Sequence, residues 1–328
     1  MRNFLFFLSV FVMLISPPAF AQQDDFNVWR TSFYQQALRD GISEATIRKA
    51  MPYITYNGRV IELDQKQPES TQTYAQYLAA TVTAGRVSRA RQEFQNNYEN
   101  LIAIERVYNV PAEIIIALWA KESDFGRIQG NFNILSSLGT LAYDGRRKSL
   151  FESELLAALR FMEQENIDPK EMLGSWAGAM GQCQFIPTSV LKYAVDGNAD
   201  GQIDLRNSLP DVFASIANYL SKNGWEYGVG VAQEVNLPAN FNPIMAQQKL
   251  EKPVTEWHAL GVVRPTGADL YLSGAPATLL QPDGEGSQAY LAYSNYRVLM
   301  RWNRSTYFAL AIAKLADQIN PKFKAPRK

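Results

Sequence analysis

The 328-residue chain contains one cysteine, Cys183, and one histidine, His258. A single thiol excludes an internal disulfide framework. With one thiol and one imidazole far apart in the sequence, a zinc site and Cys/His catalysis are poorly supported. A Ser-His-Asp triad would have to use His258, which sits in VTEWHALGVV, a segment that reads as the end of an ordinary amphipathic helix. An excess of charge is missing too, since 32 Lys+Arg face 32 Asp+Glu. That balance excludes both the basic footprint of a nucleic-acid binder and an acidic, solvating chain. Acid–base chemistry in this chain therefore falls mainly to carboxylates.

The apolar run at the N-terminus, MRNFLFFLSVFVMLISPPAFAQQDD, has the parts of a secretory signal peptide. Arg2 supplies the positive region, Phe4 to Ile15 the apolar region and Ala19-Phe20-Ala21 the small-x-small cleavage site, predicting residues 1–21 as a leader rather than a membrane span. No cysteine stands at that boundary, so no lipid anchor is expected there. Roughly 300 residues then remain, enough for one large domain or two to three smaller ones. Aromatics make up 12% of the chain. They suit stacking on polar ligands such as sugars or the filling of a core, and composition does not separate the two.

The spacing of apolar residues predicts helices from Phe26 onward, the first stopping at Gly41 and the next capped by Ser43. YNGRVIELDQKQPES reads as a polar connection, followed by one long helix from about Thr71 to Asn109. Pro111 suits the first turn of the next helix, PAEIIIALWAKE. Further helices are predicted in LFESELLAALRFMEQENI, PTSVLKYAV and DVFASIANYLSKNGW. From Val229 to Asn295, Pro, Gly and short runs such as ADLYLSG, ATLLQP and QAYLAYS predict a small β-containing subdomain. A last helix, STYFALAIAKLADQI, is expected to pack back on the N-terminal helices. The fold class is therefore mainly α (α+β).

Three stretches could carry chemistry. In IIIALWAKESDFG, Ile114 to Gly126, the carboxylate Glu122 ends an apolar helix. The helix macrodipole disfavours a negative charge there. Taken alone, Glu122 reads more readily as a surface ion-pair partner than as a catalytic group. In AGAMGQCQFIPTS, Gly178 and Gly181 allow tight turns and close approach to a ligand, while Gln182 and Gln184 offer amides. Plain turn chemistry explains such a loop as well, and no Gly-Lys-Ser/Thr follows to make it a phosphate loop. In DGNADGQIDLRNSLPD, Asp196, Asn198 and Asp200 occupy the first, third and fifth positions of a calcium loop. Gly201 fills the sharp turn, and Gln202 would offer its backbone carbonyl. Asn207 stands where the closing glutamate is expected, so Asp211 would have to serve from a longer loop. An Asx-rich turn without metal is the other reading.

These stretches occur in order with GRRKSLF and SIANYLSKNGW, and together they resemble the membrane-bound lytic murein transglycosylase B family. The resemblance is dense from Tyr108 to Trp225 and looser through SNYRVLMRWNRSTYFALA. It implies a lysozyme-like helical core and peptidoglycan glycan strands as substrate. The resemblance makes Glu122 the catalytic acid/base, with Ser175, Gln184 and Tyr219 around the reacting sugar. It places Arg146 and Arg147 at the peptide stem, although their local sequence reads equally as a solvated basic turn. Asn295, Tyr296 and Asn303 match a cleft wall. Asp196, Asn198, Asp200, Gln202 and Asp211 match a structural Ca2+ site. Without a lipobox cysteine, a periplasmic, unanchored and monomeric protein is implied, with other cell-wall enzymes as candidate partners and no nucleic acid.

The expected reaction cleaves the β-1,4 bond between N-acetylmuramic acid and N-acetylglucosamine with 1,6-anhydro formation by a single Glu. A muramidase hydrolysing that bond and a non-catalytic peptidoglycan-binding protein are the alternatives. Asp124, two residues on, points to another helix face and does not suit a second carboxylate. The expected organisation is a flanking helical region over 22–95, a lysozyme-like core over 96–232, a β subdomain with cleft wall over 233–303, and a final helix over 304–328.

Overall fold

The structure, a computed structural model, describes residues 19–66, 72–267, 270 and 274–320. Most of the expected leader, 1–18, and most of ADLYLSG lie outside the described residues. The N-terminal part is helical: α1 (Ala19–Arg39), α2 (Glu44–Ala50), α3 (Gly58–Gln65), α4 (Tyr74–Thr81), α5 (Ala84–Asn96) and α6 (Tyr98–Tyr108). The central part holds α7 (Ala112–Ser123), β1 (Phe132–Asn133), α8 (Ile134–Asp144), α9 (Lys148–Gln164), β2 (Leu173–Gly174), α10 (Pro187–Tyr193) and α11 (Leu209–Lys222). After it come β3 (Ala232–Val235), α12 (Ile244–Gln247), β4 (Glu251–Pro253), α13 (Val254–Ala259), β5 (Pro276–Leu280) and β6 (Ala289–Ala292). Two helices close the chain, α14 (Ser294–Trp302) and α15 (Thr306–Ile319).

The helix that positions the site is α7. Every residue from Ala112 to Ala120 is buried, Glu113 included, and the run Ile114 to Ala120 is apolar on all faces, as expected of a buried helix. Helices α5, α6, α11 and α15 pack around it. Pro111, expected inside the first turn, stands one position earlier as the N-cap. The Glu105 carboxylate on α6 accepts from the Ala112 N–H at 3.0 Å. A carboxylate there satisfies an orphan amide and complements the dipole.

The helix ends in Asp124, Phe125 and Gly126, whose φ values are 51°, 61° and 78°. Three consecutive left-handed residues reverse the chain sharply, and the first two cost backbone energy. The Ser123 hydroxyl steadies the turn by accepting from the Gly126 N–H at 3.0 Å.

Two segments differ from the sequence expectation. The long helix predicted after Thr71 is three helices: Thr73 caps the first, Thr83 restarts the spiral by accepting from an amide three residues on, and Asn97, with φ −112° and ψ 16°, separates the second from the third. The polar connection YNGRVIELDQKQPES contains α3, capped by Asn57, with Val60 and Asp64 buried.

The four strands β3-β6-β5-β4 form an antiparallel sheet with Thr278 opposite both Glu251 and Ala292. Val235, Val254, Trp257, Leu279 and Leu291 form a second apolar core there. Helix α14, expected within that subdomain, instead buries Val298 and Leu299 in the main core. Helix α15 packs on α4, α5 and α7, so the C-terminal segment reaches the central helix.

Ile116, at 0% exposure in the middle of α7, tests the dependence on this helix. Ile116→Ala is expected to lose about 3 kcal/mol of stability through cavity formation. The readout is a lower urea midpoint with an unchanged m-value.

Candidate active site

Glu122 leaves the last turn of α7 as a half-buried residue. Burial of its carboxyl pushes the pKa up to about 7, opposed by the Trp302 hydrogen bond and the Lys121 charge. The Trp302 indole N–H donates to Glu122 Oε1 at 2.8 Å from a position 180 residues away. Cys183, fully buried, lies close enough for the Glu122 charge to help push its thiol pKa up to about 12, chiefly a result of burial. It is a packed, inert group beside the carboxyl.

An aromatic wall surrounds Trp302. Its ring centroid lies 5.2 Å from Phe185 and 4.7 Å from Tyr219. Tyr219 in turn meets Tyr193 at 4.5 Å. The Tyr219 hydroxyl donates to the Arg301 carbonyl at 2.8 Å, and burial pushes its pKa up to about 12. Of this group the sequence singled out Tyr219. Trp302 lies inside a quoted motif from which the resemblance takes Asn295, Tyr296 and its neighbour Asn303, but not Trp302 itself. Nothing local in WNRS signals a bond to a residue on α7.

The glycine-rich loop forms the opposite support. Ser175 Oγ accepts from the Ala179 N–H at 2.9 Å, closing a tight turn. Gly181 has φ +63°, and a Cβ there would lie 2.5 Å from the Leu205 carbonyl. Glycine is therefore required by close backbone approach as well as by conformation. Gln182 is a strut, its Oε1 accepting from Trp119 Nε1 at 2.7 Å and its Nε2 donating to the Arg206 carbonyl at 2.7 Å. Gln184 takes φ 50° and donates to the carbonyls of Gly181 and Gln129. The loop thus joins the α7 exit to the segment before α11.

The remaining candidates lie further out. Arg146 and Arg147 both bond Asp64 of α3, Arg147 Nη2 at 2.6 Å, and both guanidiniums stay about half exposed. Asp64 was hidden in the segment read as a connection. The fully buried Asn295 accepts from the Glu226 N–H and donates to the carbonyls of Glu226 and Val229, pinning that loop from behind. Tyr296 meets the Thr306 hydroxyl at 2.8 Å, and Asn303 is exposed at the end of α14. Asp124 bonds Arg127 and lies 4.0 Å from Arg86, turned into an ion-pair cluster.

In the Asx loop, Asp196 accepts from the amides of Asp200 and Gly201, while Asp200 accepts from Gln202. Asn198 donates to Asp200 at 2.8 Å. Asp211 is fully buried, and its two oxygens accept from the amides of Gly197 and Asp204 at 2.9 and 2.8 Å. It braces the loop from below. Among the described residues no group of three or more His, Cys, Asp or Glu is gathered to hold a metal ion.

Comparison with known proteins bears on this geometry. Residues 25–317 match the transglycosylase SLT domain. The chain is 35% identical to membrane-bound lytic murein transglycosylase B of Escherichia coli (strain K12) over 236 residues, covering 69% of this chain and 62% of that protein. It thus spans less than two thirds of that relative's length. SltB3 from Pseudomonas aeruginosa, solved in complex with NAG-anhNAM-pentapeptide, superposes with a TM-score of 0.87 at 39% identity, covering 92% of this chain and 80% of that one. Escherichia coli Slt35, solved in complex with calcium, gives a TM-score of 0.76 at 27% identity over 93% and 95% of the two chains. The neighbours establish the lysozyme-like fold of this family for the chain.

A carboxyl whose folded pKa is raised binds its proton more tightly when folded, so stability falls as pH rises from about 4.5 towards 7. Glu122→Gln removes that dependence. The variant is expected to match the parent at pH 4 and to exceed it above pH 8 by on the order of 1–3 kcal/mol. Urea unfolding at the two pH values checks this, and equal stability at pH 8 would contradict the buried acid.

Proposed function

The chain belongs to the transglycosylase SLT domain family, and from that membership and the setting of Glu122 we infer that it is a lytic transglycosylase of peptidoglycan. The observation that carries the reading is the Glu122 carboxyl, its pKa raised to about 7 by burial and its Oε1 held by Trp302. Such a group holds a proton near neutral pH and can release it in a reaction.

The substrate would be the β-1,4 bond from N-acetylmuramic acid to N-acetylglucosamine. Glu122 donates its proton to the glycosidic oxygen as that bond breaks and positive charge develops at the anomeric carbon. The substrate's own N-acetyl oxygen stabilises that carbon. The ionised Glu122 then takes the proton from the C6 hydroxyl of the same muramoyl residue. O6 bonds the anomeric carbon, giving the 1,6-anhydro product, and Glu122 is protonated again. Intramolecular attack has a large effective-molarity advantage over water. Asp124, committed to Arg127 and Arg86, suits no role as nucleophile.

Arg146 and Arg147, oriented by Asp64 and half exposed, suit the carboxylates of a peptide stem. Tyr219 and Ser175 support the wall and floor of the cleft, and the exposed Asn303 offers an amide at its edge. The predicted leader would carry the protein to the periplasm, where this substrate lies. Among the described residues no helix is long and apolar enough to cross a membrane.

The Asx loop fits a calcium ion by donor chemistry. Asp196, Asn198, Asp200 and the Gln202 carbonyl are hard oxygen donors at the required spacing, and Gly201 turns the chain at φ +91°. The ion would cross-link the loop before α11 and take no part in the proton transfers. Asp211 supports this loop through backbone amides. Saturating calcium is expected to raise the melting temperature of the parent by several degrees, equivalent to about 2.7 kcal/mol at a hundredfold excess over Kd. Asp196→Ala should show no such rise.

The activity is tested by mass spectrometry of fragments released from purified peptidoglycan. Products about 18 Da lighter than their hydrolytic counterparts are expected. Glu122→Gln should fold and lose at least about 1,000-fold in turnover, because the amide cannot deliver a proton. Hydrated products alone would identify a muramidase instead, and binding without turnover a glycan-binding protein.

A further inference from the structure

We propose that Trp302 is a positioning residue for the reacting carboxyl: its indole N–H fixes Glu122 Oε1 as the acceptor oxygen and so assigns the transferable proton to Oε2. This inference rests on the transglycosylase reading. It starts from a polar contact that links the exit of α7 to the C-terminal segment, the 2.8 Å bond from Trp302 Nε1 to Glu122 Oε1. An indole nitrogen donates and never accepts. The oxygen it touches must therefore present a lone pair, and because the carbonyl oxygen of a carboxylic acid is a better acceptor than its hydroxyl oxygen, the bond favours the acid form with its proton on the other oxygen.

The indole is held firmly enough to impose this choice. Its ring is wedged between Phe185 at 5.2 Å and Tyr219 at 4.7 Å, both at steep interplanar angles of 58° and 67°. The backbone under it is tied down on both sides. The Arg301 carbonyl accepts from Tyr219, the Arg301 guanidinium donates to the Asn223 carbonyl, and the Asn303 N–H donates to Leu299. Ser305 then caps α15 by accepting from Phe308. Both sides of the indole are thus anchored on elements that do not include α7.

The contact serves both halves of the reaction. In the acid half it selects the oxygen that delivers the proton. Once Glu122 is ionised, the same N–H stabilises the anion that must next act as base, since donors to a charged acceptor bind more strongly than to a neutral one. The other groups that interact electrostatically with the carboxyl are Lys121 on its own helix, whose ammonium lies over the Tyr77 ring, and Cys183 in the glycine-rich loop. Neither is altered by a change at Trp302, so a variant there isolates the indole.

The test compares Trp302→Phe, which keeps a ring and removes the donor, with Trp302→Tyr, which returns a donor hydroxyl to a ring of similar thickness. The Phe variant is expected to lose about tenfold in kcat with KM little changed, and the basic limb of its pH profile should move up by about one unit. The Tyr variant should recover most of both. Equal losses in Phe and Tyr, or a Phe profile that overlays the parent's, would show that only ring packing matters and overturn the proposal.

A second measurement needs no variant to be stable at position 302. In the parent, one indole 15N–1H resonance should titrate with a midpoint near 7, tracking Glu122, and in Glu122→Gln it should be flat across that range. An indole signal indifferent to Glu122 also sinks the inference. Failure of the transglycosylase reading looks different: turnover that survives Glu122→Gln, or hydrated products only.

Discussion

A carboxyl group taken out of water resists ionisation, and much of this molecule can be understood as the apparatus that keeps Glu122 in that condition. Helix α7 is buried from Ala112 to Ala120, with Glu113 its one charged residue there, and is enclosed by α5, α6, α11 and α15. Its last turn therefore opens into a region where a charge finds little solvation. Desolvation outweighs the opposing Trp302 bond and Lys121 charge, leaving the pKa near 7. The negative end of the helix dipole works in the same direction. Energy lost in holding a buried acid is offset by the large apolar core behind it, which is a usual relation between active sites and stability.

The constraint reaches into distant parts of the chain. A carboxyl at a helix end needs a floor and a wall, and neither can come from the helix itself. The floor is the loop from Ser175 to Gln184, fixed by Gly181 against Leu205 and by the Gln182 strut between Trp119 and Arg206. The Asx loop before α11 stands behind it, braced by the buried Asp211. The wall comes from the junction of α14 and α15. Its position depends on Asn295, which fastens the start of α14 to the 226–229 segment through three hydrogen bonds. A residue that matches a cleft wall thus contributes by anchoring the wall rather than facing the cleft.

How far this was legible depends on whether the information was local. The apolar run ending in Glu122, the glycine-rich loop and the Asx spacing are contiguous patterns, and resemblance in those stretches led to the right fold and family. Helix boundaries were less legible, because Thr83 and Asn97 break an amphipathic run whose periodicity continues across the breaks. Trp302 and Asp64 were missed for a different reason. Each acts through a partner 180 or about 80 residues away, and such pairings leave no periodic trace. Asp64 was masked further by its polar neighbours, which made a helix with two buried residues look like a connection.

The same distinction separates what the two kinds of residue can do. Local patterns deliver a backbone shape: a helix end, a tight turn, an oxygen-rich loop. Directed chemistry needs an external reference that removes the near-equivalence of two oxygens on one carboxyl. A donor on α7 would move with Glu122 and give it no fixed orientation relative to the cleft. A donor anchored by Phe185, Tyr219 and the ends of α14 and α15 supplies an independent frame. On the proposed mechanism the same carboxyl is acid and base in turn, so the orientation has to persist through both states. An indole N–H meets that requirement, since it remains a donor at every pH at which the protein is folded. The role of the C-terminal segment is then to complete the chemistry of a carboxyl that the central helix supplies but cannot aim.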